Sequence, residues 1–321
     1  MAVTLEQARL NTQDDIQAGV IDIFRKNSLL LDHIVFHDAV SPAGAGSTLT
    51  YGYTRLVTEG TAAFRAINSE YSDQEATKER KTVELKVFGG SFAVDRVISK
   101  MGGLVDEIAF QVEQKAKSTR ALFSDTFING DSGQVTNAFD GIDKAITGSS
   151  TEMKPGAPID LSTSELMDTN GAAFLDLLDE FASMTADKPS AWFCNSKLLT
   201  KIKSVARRAG YLTHSEDAFG RTIDGYDGIP LIDLGDKPAT TDSIIGIDGG
   251  KGTTSLYSVC LGMDHIHGVS ISGQAPLNII LPNFKDAGAV KRGEVEMIAA
   301  IAMKQTRSAA VLRDIKVKPV L

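Results

Sequence analysis

The sequence predicts an α+β protein in which a helix-and-sheet body is interrupted by an inserted α/β region and carries a long, charged ribbon. Three observations predict this. Two strand-patterned segments, residues 48–57 and 83–94, bracket a stretch too polar to form a core. One apolar stripe recurs at helical spacing over residues 104–129. Alternating helix and strand signals fill residues 164–290. The 321 residues are 42% hydrophobic and 23% charged, enough to bury one large core or two moderate ones.

Apolar positions from Leu5 to Phe36 predict a helical arm at the N-terminus, within an arm region of residues 1–47. The SPAGAGS run at residues 41–47 breaks it with Pro and Gly. The opening MAVTLEQARLNTQDD lacks a basic start followed by an apolar stretch, so a non-secreted protein is expected. The apolar run Met297–Met303 falls far short of the roughly 20 residues of a membrane helix.

In TLTYGYTRLV, Leu49, Tyr51 and Tyr53 share one strand face. In VELKVFGGSFAV, Val83, Leu85 and Val87 do the same, and Gly89-Gly90 predicts a bend or bulge. The excursion between them, assigned to residues 48–82, is crowded by Arg65, Glu70, Asp73, Glu75, Lys78, Glu79, Arg80 and Lys81. An isolated hairpin is marginally stable in water. Arms of about 15 residues at roughly 3.3 Å per residue would carry a polar tip about 50 Å out, beyond the radius of a domain of this size. Support is therefore expected from a neighbouring copy, with those charged residues as the intersubunit contacts.

Leu104, Ile108, Val112, Ala116, Thr119, Phe123 and Phe127 mark one stripe of a helix that would run roughly 39 Å. It ends in FINGDSGQVTNAFDGI, where Asn129-Gly130 is expected to supply left-handed residues and Asp131-Ser132-Gly133 to continue the turn. A calcium loop is not expected there, because residues 134–142 lack alternating acidic or amide side chains and a Glu at the twelfth position.

In the inserted region, Phe174, Leu177, Leu178, Phe181 and Met184 form a helical stripe, and AWFC is a buried strand. Asn195-Ser196 caps a helix that runs to Ala209 and closes at Gly210. IPLIDL, SIIGID and SLYSVCLGM running on to HIHGVSI read as short strands. VEMIAAIAMKQ and SAAVLRDIKV, spanning Val295–Val317, are expected to pair with residues 83–94.

No constellation for catalysis emerges. Cys194 and Cys260 lie in apolar stretches, as buried thiols of a reducing compartment would. GIDGGKGTTS resembles a phosphate loop, but Gly252 follows Lys251 where Ser or Thr is required, which leaves a Gly-rich turn between strands. His33 and His37 have helical spacing but no accompanying Glu of a zinc motif, so they read as surface or interface residues. His265 and His267 fall on one strand face without a third ligand. Lys197, Lys201, Lys203, Arg207 and Arg208 read as the solvated face of one helix. There is no GxSxG elbow, and no cofactor or metal is expected. The net charge of −8 argues against a surface built to grip nucleic acid.

In their order, several segments resemble the major capsid proteins of tailed bacteriophages, whose fold is shared with herpesvirus capsid floors and encapsulins. These are the charged excursion of residues 58–82, the helix leaving through Phe127-Ile128-Asn129-Gly130-Asp131 into Phe139-Asp140-Gly141-Ile142, and AWFCNSKLLTKIKSV followed by Gly220-Arg221 and GYDGIPLID. The resemblance covers about residues 48–317. It implies an extended loop (48–82), a peripheral domain (83–163) with its spine helix at 104–129, an axial domain (164–290), and return strands of the peripheral domain (291–321). It further implies a structural subunit, not an enzyme, that assembles into hexamers and pentamers around viral double-stranded DNA. Such a virion head would be built in the host cytoplasm. The implied partners are a separate scaffolding protein, a portal and a decoration protein, with weak, non-specific DNA contact and no membrane. Some relatives join subunits through a Lys–Asn isopeptide bond. Lys78 and Lys81 stand in the loop, but neither the Asn nor the assisting carboxylate matches, so no cross-link is expected. The alternatives are an encapsulin-like compartment shell filled with cargo enzyme, or an α/β enzyme using His265, His267 or the Gly246–Thr253 turn.

Overall fold

The computed structural model describes residues 30–41, 48–58, 60–101, 107–210, 212–216, 222–273, 277–285 and 287–319. Most of the arm expected to be helical therefore lies outside the described residues. Its last part changes form: one helical turn, α1 (Leu30–His33), precedes a strand, β1 (Phe36–Val40). Next come β2 (Thr50–Thr58), β3 (Thr77–Glu84), β4 (Lys86–Asp95), the long helix α2 (Glu107–Asn129) and the short α3 (Ile142–Ile146). Short strands β5 (Glu152–Met153) and β6 (Ile159–Asp160) lead to α4 (Ser164–Ser183), β7 (Ala191–Cys194) and α5 (Ser196–Ala209). The remaining strands are β8 (Leu212–Glu216), β9 (Thr222–Tyr226), β10 (Ile229–Asp233), β11 (Thr253–Val259), β12 (Ile266–Ile271), β13 (Leu277–Ile280), β14 (Val290–Met303) and β15 (Ala309–Lys316).

Among the described residues the strands form three sheets. A five-stranded sheet runs β1-β12-β14-β13, with β4 on the other side of β14. An eight-stranded sheet runs β5-β15-β11-β7-β10-β9-β8, with β6 also on β15. β2 and β3 make a two-stranded ribbon of their own. The expected pairing of residues 83–94 with the C-terminal segments holds for β14 alone, which meets β4 from Val290↔Asp95 to Ala299↔Lys86. β15 instead pairs with β11 in the larger sheet. Its start, Ala309–Leu312, is buried throughout, the pattern of a central strand covered on both faces. Conversely β12 and β13, expected within the inserted region, join β14. The chain passes between the two large sheets once more than the local signals suggested, at β15, and returns to the five-stranded sheet earlier, at β12.

Alternation along β7 shows how one sheet serves two cores. Ala191 and Phe193 face the cluster holding Phe123, Phe127, Ile128, Phe139 and Ile142 with Met297, Ala299 and Ile301 of β14. Trp192 and Cys194 face the opposite cluster, where Phe174, Leu178 and Phe181 of α4 meet Leu198, Ile202 and Val205 of α5. Asn195 caps α5 as expected: its Oδ1 accepts from Leu198 N at 2.9 Å, while its Nδ2 donates to Thr254 Oγ1 at 2.7 Å. Gly210 ends the helix at φ 80°.

Helix α2 spans about 34 Å at 1.5 Å per residue. Only its C-terminal half is deeply buried, at Thr119, Phe123, Ser124, Phe127 and Ile128. Ile108 and Val112 rest against Phe92, Val94 and Ile98. Its exit differs from expectation, for neither Asn129 nor Gly130 is left-handed. Asn129 instead tethers the helix end, its Nδ2 donating to Ile244 O at 2.9 Å. Gly130 and Gly141 meet where the chain crosses back over that end, with Gly141 N donating to Gly130 O at 2.8 Å. A Cβ on Gly130 would sit 2.3 Å from Phe139 O, and one on Gly141 would sit 2.6 Å from Ile128 O. Close approach, not backbone sign, requires these glycines. Lys144 closes the loop by pairing with Asp131 at 2.6 Å and Asp140 at 2.8 Å.

Gly89 and Gly90 make no bulge either. They lie in the unbroken β4–β14 ladder, where a Cβ on Gly89 would stand 2.0 Å from Val295 O. The ribbon parts from β4 at buried Leu85, whose N donates to Leu49 O at 2.8 Å.

Candidate intersubunit surface

The ribbon is rooted by alternate residues of β2. Tyr51 and Tyr53 pack against Leu85 and against Val40, Val269 and Ala302 of the five-stranded sheet, and Arg55 donates to Thr306 Oγ1. On β3 only the last half is partly covered, whereas Thr77 to Arg80 are exposed. The two strands pair from Thr50↔Glu84 to Thr58↔Thr77, with a one-residue register shift between Leu56 and Thr58. Nine- and eight-residue strands replace the expected arms of about 15, so the ladder spans about 30 Å. Beyond it the described residues 60–76 are irregular and exposed.

The eight charged residues singled out from the sequence do not converge. Glu70, Asp73 and Glu75 are exposed in the irregular tip. Lys78, Glu79 and Arg80 are exposed on β3, and Lys81 pairs with Glu79 at 2.8 Å. An exposed pair of this kind contributes about 0–1 kcal/mol. Arg65 turns inward on the tip. Its guanidinium lies 5.3 Å from the centre of the Tyr71 ring and donates to Ser69 O at 3.2 Å. This closes a turn in which Ser69 N donates to Ala66 O at 3.2 Å and Asn68 takes φ 67°.

That turn displays what the charge count obscured. Phe64 is fully exposed, Ile67 is 91% exposed and Tyr71 62%. The tip was expected to be polar; it presents three large apolar side chains clear of the body. Their spacing of three and then four residues within a polar stretch was the available signal. Apolar groups held out in this way mark interaction surfaces, and aromatic and Arg side chains dominate binding energy in protein interfaces.

The other candidate sites are occupied by their own structure. At the Gly-rich turn, Asp248 Oδ1 accepts from Gly250 N at 2.8 Å and Lys251 N at 3.1 Å, so a carboxylate sits where a phosphate would need those amides. His33 and His37 share no helix face, since one ends α1 and the other lies in β1. His265 precedes β12, with Nε2 3.0 Å from Asp187 and Nδ1 3.2 Å from Ser308 Oγ, while His267 is buried within the strand. The α5 cations are not simply solvated. Lys201 donates to Ser162 O at 2.9 Å, Lys203 pairs with Asp224, and Arg208 pairs with Asp168. Cys194 and Cys260 are buried, and burial pushes both thiols up. Among the described residues no group of three His, Cys, Asp or Glu is placed to hold a metal ion, and no helix is long and apolar enough to cross a membrane.

No family model matches the chain, and no curated protein matches its sequence. Solved structures do match it over nearly full length. The holo-SrpI encapsulin complex from Synechococcus elongatus PCC 7942 aligns with a TM-score of 0.64 at 15% identity, covering 100% of this chain and 99% of that one. The capsid of the native GTA particle gives 0.63 at 14% identity, covering 98% and 99%. Mycobacterium phage Adephagia gives 0.60 at 12% identity, covering 99% and 100%. With its long helix beneath a five-stranded sheet, its second sheet layered by α4 and α5, and its protruding ribbon, the chain has the α+β fold common to tailed-phage capsid proteins and encapsulin shells.

Proposed function

We propose that this chain is a structural shell subunit, a major capsid protein that self-assembles into pentamers and hexamers enclosing viral double-stranded DNA. The observation that carries the reading is the ribbon, whose apolar tip finds no cover on its own body. Burying a side chain such as Phe64 or Ile67 contributes about 1.5–3 kcal/mol. A clasp on a neighbouring copy, repeated around a closed shell, multiplies that contribution as avidity does. In this reading Phe64, Ile67 and Tyr71 are the anchors. Arg65, Glu70, Asp73, Glu75, Lys78, Glu79, Arg80 and Lys81 set the register of the contact without supplying most of its energy.

The eight-stranded sheet with α4 and α5 would stand around capsomer centres, and the five-stranded sheet with α2 towards the periphery. A net charge of −8 suits a lining that touches packaged DNA weakly, because strong phosphate binding would impede packaging and release. A separate scaffolding protein, a portal and an outer decoration protein are the proposed partners, with assembly in the host cytoplasm. A second reading, a cargo-filled compartment, is favoured by the full-length likeness to an encapsulin complex.

Negative-stain microscopy of the purified protein tests the shell, and nuclease treatment followed by assay of protected DNA separates the two fillings. Deleting residues 61–78 is expected to leave a folded chain that forms no closed particles. A working state that is a lone monomer, or closed particles from the deleted chain, would overturn the reading.

A further inference from the structure

The five-stranded sheet carries an unexplained feature directly beneath the ribbon root. His267 of β12 is 0% exposed, yet neither of its ring nitrogens has a hydrogen-bond partner, and the Nδ1 of His37 on β1 is likewise buried without one. Orphaned buried polar atoms of this kind are rare in folded proteins. The two imidazoles stand 6.0 Å apart, and Tyr51 of β2 closes the cluster edge-on, 5.9 Å from His267 and 5.6 Å from His37. Tyr53 stacks on Tyr51 at 5.9 Å. The seat of the ribbon is therefore a four-ring cluster that buries His267 among His37, Tyr51 and Tyr53.

The surrounding charges sharpen this. Lys304, following β14, and His37 oppose a proton on His267. Asp264 and the backbone of His265 favour it, but Asp264 is mostly exposed and already 4.0 Å from Lys304. Burial is the largest influence, and it opposes the charged form.

We propose that this cluster is an acid-released latch: neutral His267, packed against His37 and Tyr51, keeps the ribbon root closed on the sheet, and proton uptake on His267 lifts β2 so that water reaches its ring. The direction follows from linkage. The closed form holds His267 down to about 4, against about 6.5 when open, so the open form binds more protons between those values. Closure is complete above about 6.5 and weakens as pH falls, by up to tenfold per pH unit and about 300-fold across the window. The shell reading bears only on the consequence, a clasp that loosens in acid; the latch itself belongs to the single chain and is tested on it.

Hydrogen exchange of the full-length protein, corrected for the intrinsic pH dependence of exchange, reads the latch. Between pH 7 and 5, protection of residues 50–58 and 77–84 is expected to fall about tenfold or more, while β7 and β11 hold theirs. His267→Phe combined with His37→Phe should flatten that response. Should the double variant fold poorly, Lys304→Gln, which removes one opposing cation at a partly exposed position, should shrink it. Root protection independent of pH in the unaltered protein, or a response undiminished in both variants, overturns the proposal.

Discussion

Replacing Arg313 by Met should measure how firmly β15 is riveted to the rest of the molecule. Arg313 reaches Glu152 and Asp143, the latter at 2.8 Å, and donates to Thr147 Oγ1 at 2.9 Å, joining β15 to α3 and β5. Glu152 is only 7% exposed. Burial pushes its carboxyl up, but the Gly148 N–H, Arg313 and Lys154 together outweigh it and bring it to about 2, against an ordinary 4.5. That depression corresponds to about 3 kcal/mol of folded-state stability. It is fully present above pH 4.5 and lost as the pH falls towards 2. Removing the partner of a buried charge typically costs about 3–5 kcal/mol. Here Gly148 N at 2.9 Å and Lys154 at 3.1 Å remain with Glu152, which places the expected loss near the lower end, about 3 kcal/mol. Urea unfolding at pH 7 reads the loss. The same series at pH 3 should show a smaller gap between Arg313→Met and the unaltered chain, because Glu152 without Arg313 holds its proton to higher pH and so sheds its unpaired charge, while the native pair is still ionised. A double-mutant cycle with Glu152→Gln isolates the coupling. A loss under 0.5 kcal/mol at pH 7, or a gap that widens in acid, would refute the argument.

Phe64→Ser combined with Ile67→Ser should abolish particles in sedimentation while moving the unfolding midpoint by less than about 0.5 kcal/mol, since neither side chain is covered in the single chain. Gly130→Ala should cost about 2 kcal/mol or more, checked by urea unfolding, because its new methyl would meet Phe139 O at 2.3 Å and Thr126 O at 2.4 Å, backbone and helix that cannot easily yield. Cys194 should resist thiol reagents at pH 8 until denaturant is added, burial having raised its thiol out of the reactive range. Rapid labelling of Cys194 in the folded protein would show that its core opens locally.

Much of the local structure was legible because its cause is local. The spacing of Ile108, Val112, Thr119, Phe123 and Phe127 required a helix, and Asn195 and Gly210 punctuated α5 through their own side-chain and backbone chemistry. The ribbon was legible by the same logic, because residues 58–82 carry too little apolar surface to fold inward. The exposed apolar side chains at its tip were not, since averaging over a charged stretch hides three residues displayed around a turn at Asn68. The Gly89-Gly90 bulge and the left-handed Asn129-Gly130 were misread for a related reason. A glycine signals that something needs room, and only the packed chain tells whether the need is a backbone angle or a neighbour 2 Å away.

The amino-acid order by itself determined most helices, strands and the protrusion, because periodicity, capping and polarity act within a few residues; it missed strand β1 at the end of the arm and expected a strand at SIIGID, where only an isolated bridge at Ser243 forms. The tertiary structure alone decided that β15 leaves β14 for β11, that β12 and β13 return to the five-stranded sheet, and that two histidines far apart in the chain pack together beneath the ribbon. Strand partners and buried neighbours are chosen by whole faces competing for cover. That competition is settled by the packing of distant elements, which no local pattern records.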